Sequence, residues 1–323
     1  MTLKKTTMKD IAQKANVSIA TVSYVLNSVN NQTIPEATRK HILQIAKELH
    51  YIPNLTARSL AKKKTGLIGI LLNKSSHTPY WKRQGYLAVV ESLEKLLTAA
   101  GYHTLLLSLN AEKPSLDIIV ERELDAAFLI DVRDETFYSI SINFTIGVPL
   151  ILIDSKIKDK MFKQIFYNYQ EAIQVALTKA DDTNSDALKT SSEEVCFIME
   201  NFNNQSLVAH ILQGIHDLGF SRDHIFIIDD LHQLDSISQS GSYKKAIVIN
   251  EFLGNHIEKM NMFDKLTVIC TCNCPEILVN KNTQVITFKE DKSTSAFSIM
   301  ENLINHIDFF KQSNNIYSIG VKR

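Results

Sequence analysis

Over the first fifty positions the apolar residues recur with the period of a helix. Met8, Ile11, Ala12 and Ala15 fall at i, i+3, i+4 and i+7, one stripe of a helix that Thr7 can cap. Asn16 and Val17 leave room only for a tight turn before Ser18, a natural N-cap. A second helix then runs to Asn27 with Val22, Val25 and Leu26 on its apolar face. Two short helices joined this closely must cross steeply, as in a helix-turn-helix unit, whose second helix presents its N-terminal residues to base edges in the major groove. Pro35 suits the start of a third helix, with Ile42, Leu43, Ile45, Ala46 and Leu49 as its stripe. Tyr51 and Pro53 end it, because the residue before a proline is driven out of the helical region. Asn54 then caps the short segment LTARSLAKKK, which carries Ala57 and Leu60 on one face and is too short to be a stable helix alone in water.

From Gly66 the pattern changes. GLIGILL, HTLLLSL, LDAAFLI, PLILID, VCFIM, HIFIID, KAIVIN, LTVICTC and QVITF are apolar runs of strand length. Most are separated by amphipathic helical stretches such as YLAVVESLEKLLTAAG and SLVAHILQGIHDLG. Near-continuous apolar strands alternating with helices predict parallel sheets covered on both faces. About 255 residues is too long for one such layer, so two doubly wound lobes with a cleft between them are expected.

Charge changes the picture more than composition does. The chain is formally neutral, but residues 1–64 hold 11 Lys and Arg against Asp10, Glu36 and Glu48, while the remainder holds 24 against 32. A basic head on an acidic body points to a polyanion partner for the head alone, since neutralising phosphates releases counterions. The N-terminus is polar and no apolar run approaches the length of a membrane span, so neither export nor a membrane partner is expected, and a cytoplasmic location is. Cys270, Cys272 and Cys274 alternate through ICTCNCP, which puts them on one face if a strand runs through them. A metal or thiol sensor is one reading; small buried hydrophobes is the better one, because alternation gives no tetrahedral cage without a fourth ligand, for which only Cys196 or His210 are conceivable. No phosphate-cradling glycine loop, nucleophile elbow or H-E-x-x-H is present, so no enzyme, cofactor or metal is expected.

MKDIAQKANVSIATVSYVLN followed by IPEATRKHILQIAKELHYIPNLTARSLAKKKTGLIGIL resembles the LacI/GalR family of bacterial transcription regulators over about the first 72 residues. The resemblance implies an N-terminal all-α helix-turn-helix domain over residues 1–53 and a hinge helix and linker over 54–65. A two-lobed, periplasmic-binding-protein-like α/β body of doubly wound parallel sheets follows over 66–323. The chain is expected to cross between lobes near residues 155–163 and 283–292, and NNIYSIGVKR to close the body. The implied function is that of a repressor binding double-stranded DNA as a homodimer, on a pseudo-palindromic operator. DNA contacts are implied for Thr7, Lys9, Ser18, Ile19, Ala20, Thr21, Ser23, Tyr24 and Asn27, for Thr38 and Tyr51, and for Asn54, Ala57 and Leu60 of the hinge, where Leu60 is the wedge that unstacks a central base step.

The chain also departs from the family pattern. The loop SVNNQT is about two residues longer than usual. Tyr24 stands where many members have an arginine, so the fork that reads guanine is missing, and Ile19 and Ala20 are apolar. In the body the implied effector contacts are Asn73, Tyr80, Trp81, Asp154, Asn250 and Asn273. Ile211 stands in place of an arginine three residues before Gly214, Cys272 and Asn273 fall near carboxylate positions, Asn250-Glu251 replaces an Asn-Asp pair, and DDTNSDALKTSSEE replaces the L-G-H run. Two readings of the body follow: a cleft gated by a small-molecule effector, or a dimerisation module answering to a protein partner or to a thiol or metal signal. Weak or absent binding of free neutral monosaccharides is expected in either case, because their hydroxyls would be left unpaired.

Overall fold

The computed structural model describes residues 6–26, 33–51, 64–180, 194–240, 243–305 and 314–322. The chain divides into two compact units, residues 1–65 and 66–323.

The first unit is helical. Helix α1 (Met8–Ala15) opens with a capping box, in which Thr7 Oγ1 accepts from the Asp10 amide and the Asp10 carboxylate accepts from the Thr7 amide. It ends at Asn16, whose left-handed backbone (φ 51°) turns the chain sharply into α2 (Ile19–Leu26). Helix α3 (Glu36–Glu48) closes the unit, and Ile11, Val22, Val25, Ile42 and Ile45 form its core. One member of the expected stripe is corrected: Leu43 is exposed. Ile42, Ile45 and Ala46 already fill the inward face, and the 100° step from Ile42 carries Leu43 off it. Asn27 and the hinge positions Asn54, Ala57 and Leu60 lie outside the described residues.

The second unit holds two all-parallel sheets. The first contains β1 (Leu67–Lys74), β2 (His103–Asn110), β3 (Ala126–Ile130), β4 (Leu150–Ile153), β5 (Lys163–Tyr167) and β11 (Ile316–Ile319), in the order β11-β5-β4-β3-β1-β2. The second contains β6 (Val195–Glu200), β7 (Ile225–Ile228), β8 (Lys245–Ile249), β9 (Lys265–Ile269) and β10 (Gln284–Ile286), in the order β10-β9-β8-β6-β7. Alternate residues of one strand pack into different cores, which is why the runs read as continuously apolar. Ile68, Ile70 and Leu72 of β1 join the central cluster while Leu71 faces the outer one; Phe197 and Met199 of β6 face inward while Cys196 and Ile198 face outward. The helices are α4 (Tyr80–Ala99), α5 (Asp117–Glu121), α6 (Asp134–Ser141), α7 (Tyr169–Ala180), α8 (Gln205–Asp217), α9 (His232–Ser240), α10 (Glu251–Met260) and α11 (Lys292–Ile304).

The crossovers are partly as expected. Passage back to the first lobe falls between β10 and α11, within 283–292, and the C-terminal segment supplies β11 on the edge beside β5. The outward passage does not fall at 155–163. Lys163–Tyr167 is a strand of the first sheet, paired with β4 and β11, and the chain leaves only afterwards, through α7, which packs on β8, β9 and β10. The segment KQIFY is hard to read as a strand because it opens on Lys163 and Gln164. Gln164 is nonetheless fully buried, accepting from the Ile157 amide (2.9 Å) and donating to the Asp159 carbonyl (3.1 Å).

Candidate functional site

Two regions carry polar or exposed groups that packing alone does not require. On α2 the core is made by Val22 and Val25, while Ile19 is 49% exposed, Ala20 is exposed and Tyr24 lies at the surface. Ser18 caps the helix, its Oγ accepting from the Thr21 amide (3.0 Å) and sharing a 2.8 Å bond with the Thr21 hydroxyl. Lys9 is exposed on α1, and Ser23 and Thr38 are half-buried. Tyr51 packs partly on the head's core after His50, a left-handed residue (φ 47°), has turned the chain out of α3. Ile19 thus stands in water at the first position of α2, next to a core that is complete without it.

In the body, a narrow cleft lies at the carboxyl ends of the strands of both sheets, the place where doubly wound folds bind ligands. From the first lobe come Lys82, Gly85, Tyr86 and Val89 of α4, Asp131 after β3, Asp154 after β4 and Lys292 of α11. From the second come Glu200 and Phe202 at the end of β6 and Thr271 and Cys272 after β9, with Tyr169 at the start of α7. Gly85 lets the lobes approach, since a Cβ there would sit 3.3 Å from Cys272 Sγ.

The cleft is crossed by bonded charges. Lys82 Nζ lies 2.7 Å from Asp131 Oδ2 and donates to the Asn201 carbonyl (2.7 Å) and to Asn203 Oδ1 (3.3 Å), so one ammonium ties both lobes. Asp131 also accepts from Tyr86 Oη (2.7 Å) and the Asn203 amide (2.7 Å). Burial pushes its carboxyl above the usual range, against the pull of Lys82 and these donors. Lys292 Nζ lies 2.5 Å from Asp154 Oδ2 and 4.7 Å from the centre of the Tyr167 ring. Burial opposes its charge, but Asp154 prevails and holds the ammonium above its ordinary value. Asp131 and Asp154 both have left-handed backbones (φ 53° and 50°), a conformation that aspartate tolerates better than most residues and that turns each chain sharply at the strand end.

Glu200 differs from these pairs. Its Oε1 accepts from Asn250 Nδ2 (3.1 Å), and no cation lies within ion-pairing distance among the described residues. Burial pushes its carboxyl up to about 7. Glu251, next to Asn250 in the chain and fully buried, is stabilised by the amides of Thr271, Cys272 and Cys274 at 2.7–3.1 Å, a nest of backbone donors.

Of the six expected effector residues, Asp154 alone lines this cleft. Trp81 is corrected from a cleft aromatic to a core residue. It is 2% exposed and packs among Cys196, Ile198, Val248 and Leu253 of the second lobe, because the N-terminus of α4 points its apolar bulk into that core. Tyr80 stands edge-on to Trp81 and donates to the Phe252 carbonyl (3.3 Å). Asn250 is occupied in capping α10 through the Phe252 and Leu253 amides, Asn73 Oδ1 accepts from the Arg133 amide, and Asn273 is an exposed left-handed residue (φ 58°). Ile211 lies in the central core. The cysteines do not share a strand face, since β9 ends at Ile269 before the first of them. Among the described residues no group of three or more His, Cys, Asp and Glu could hold a metal. Burial raises the thiols of Cys196, Cys270 and Cys272, that of Cys196 up to about 12, which disfavours the reactive thiolate.

The residues that reading the sequence missed, Asp131 and Glu200, had a signal. Each is a carboxylate immediately after an apolar strand run, as Asp154 is, and such positions point into the cleft of a parallel sheet. Lys82 and Lys292 had none, being single lysines on helices that tertiary packing brings to those carboxylates.

Residues 7–54 match the model of the bacterial regulatory proteins of the lacI family. The HTH-type transcriptional regulator RegA of Clostridium saccharobutylicum is 29% identical over 255 residues, 77% of this chain and 70% of that protein. The repressor PurR of Klebsiella pneumoniae is 35% identical over 129 residues, 38% of this chain and 35% of its own length. Among solved structures, the lac repressor dimer bound to operator and an anti-inducer superposes with a TM-score of 0.70 at 14% identity, covering 98% of this chain and 97% of that one. A complex of the regulator CelR with cellobiose gives 0.58 at 13%, covering 98% of each chain. No helix among the described residues is long and apolar enough to cross a membrane.

Proposed function

Because this chain belongs to the LacI/GalR family of DNA-binding transcription regulators, we propose that it is a repressor that acts as a homodimer on a pseudo-palindromic operator about 14 to 20 base pairs long. Residues 1–53 form the reading head, 54–65 the hinge, and 66–323 the body that joins two copies and senses a signal. The bacterial DNA it reads puts its action in the cytoplasm. The observation that carries this reading is the exposure of Ile19, Ala20 and Tyr24 on α2 beside a complete core. Each half-site is read by these three residues through methyl contacts and one hydroxyl, with DNA deformability supplying further specificity, and Leu60 of the hinge wedges the central step. Lys9, Ser18 and Thr21 supply donors to phosphates. The lac repressor dimer bound to operator supports the assembly by likeness of fold.

The body responds through the cleft. A ligand that favours one separation of the two lobes biases the population able to bind DNA. The bonded charges that fill the cleft speak against a neutral monosaccharide as that ligand, since Lys82 and Asp131 already satisfy one another. Selection of binding sites from random DNA, followed by footprinting, tests the reading. A two-fold symmetric consensus protected by a dimer is expected; one asymmetric half-site bound with full affinity by a monomer would contradict it.

A further inference from the structure

The ionisable groups lining the cleft do not balance. Lys82 and Lys292 face Asp131, Asp154 and Glu200, and each lysine is already matched to one aspartate. Glu200 is left over, with a single amide donor from Asn250. Its neighbourhood holds two further unanswered polar atoms. Asp154 Oδ1 and the Tyr169 hydroxyl are both buried and without a hydrogen-bond partner, and both residues line the same cleft as Glu200. Asp154 is 7% and Tyr169 2% exposed. Unpaired buried oxygens of this kind cost free energy unless something donates to them. Tyr86, Tyr169 and Phe202 also line the cleft, beside Val89 and Ile130, and aromatic rings attract cations.

We propose that the cleft's ligand is a small organic cation, a primary amine whose ammonium donates to Glu200 and Asp154 Oδ1 and whose polar tail reaches the Tyr169 hydroxyl. An ammonium has three donors and one positive charge. It would thus supply the missing counter-charge and satisfy carboxylate oxygens that a neutral polyol can only hydrogen-bond. This deepens, and rests on, the reading of the cleft as the effector site.

Matched pairs that differ in charge test it on the full-length protein: ethanolamine against ethylene glycol, 1,4-diaminobutane against 1,4-butanediol, and glucosamine against glucose. In thermal unfolding, at least one amine is expected to raise Tm by about 5 °C at a hundredfold excess over its Kd, while its neutral counterpart leaves Tm unchanged. Glu200→Gln, close in shape and still able to accept from Asn250, should abolish that rise, and Tyr169→Phe should reduce it. Equal stabilisation by the neutral partners, lost in Tyr169→Phe, would overturn the cationic ligand and leave the cleft standing as an effector site. An amine effect undiminished in both variants would place the binding elsewhere. A protein on which none of the six compounds acts overturns the proposal too; if its operator affinity is also unmoved by Glu200→Gln and Tyr169→Phe, the effector reading of the cleft fails with it.

Discussion

On α2 the outward side chains, Ile19 and Tyr24, contribute nothing to the core that Val22 and Val25 build, whereas in the cleft the polar groups suited to meeting a ligand also hold the two lobes together. Lys82 bridges Asp131 of one lobe and Asn201 of the other, and Asn204 Nδ2 reaches back to the Val132 carbonyl (2.9 Å) and to Asp134. Specificity on α2 can therefore change without consequence for folding. Specificity that rests on Lys82, Asp131, Asp154 or Lys292 cannot, because each substitution there also removes a partner from a buried charge.

That contrast would break most visibly at Lys82. Lys82→Ala leaves the buried Asp131 without its cation and should cost about 3–5 kcal/mol, read as a fall in the denaturation midpoint of the body. A loss below about 1 kcal/mol for Lys82→Ala would put the pair in the class of surface ion pairs and remove the contrast.

The next largest effect follows pH. Glu200 holds its proton up to about pH 7 in the folded protein but releases it near 4.5 when unfolded. The folded state therefore binds more protons between these values. The stabilisation from this group is complete below about pH 4.5, is lost as pH rises towards 7, and stays lost above. At about 1.4 kcal/mol per tenfold change in proton affinity, the full loss is at most about 3.5 kcal/mol. Glu200→Gln should flatten that part of the stability profile, and a profile of unchanged slope would show that the carboxyl is better solvated than its burial indicates.

On the head, Tyr24→Arg should shift selected half-sites towards guanine by about 1–3 kcal/mol of discrimination, through a bidentate fork on O6 and N7. Its effect on the melting of the head should stay within about 0.5 kcal/mol. An identical consensus for both proteins would mean that residue 24 does not face bases. The smallest effect is at Thr7, where polar chemistry does serve the fold of the head. Thr7→Ala removes the capping box and should cost about 1 kcal/mol of head stability, measured by thermal unfolding.

The head was legible almost residue by residue, from the Thr7 cap to the stripe of α3, because its helices are set by interactions three and four residues apart. Leu43 was the exception, an apolar residue whose face the stripe did not distinguish. The strands of the body were equally plain, save β5, whose polar opening residues Lys163 and Gln164 hide it, and β11, whose largely exposed IYSI was expected only from the family resemblance. The effector site was not. Trp81 carries the composition of a ligand-stacking residue and is spent on the core, while Glu200 and Asp131 stand one residue beyond runs that already read as complete strands.

What the sequence determined by itself was local: helical period, caps, the density of apolar strands, and the segregation of basic charge into the first 64 residues. Each follows from interactions within a few positions or from simple counting. The pairing of Lys82 with Asp131 and of Lys292 with Asp154 spans 49 and 138 positions along the chain, and no periodicity encodes such distances. Which carboxylate is left without a cation depends on where two sheets and the helices α4 and α11 converge, and the dielectric around Glu200 exists only once both lobes have closed over it. The charge balance of the cleft was therefore decided by the tertiary structure alone.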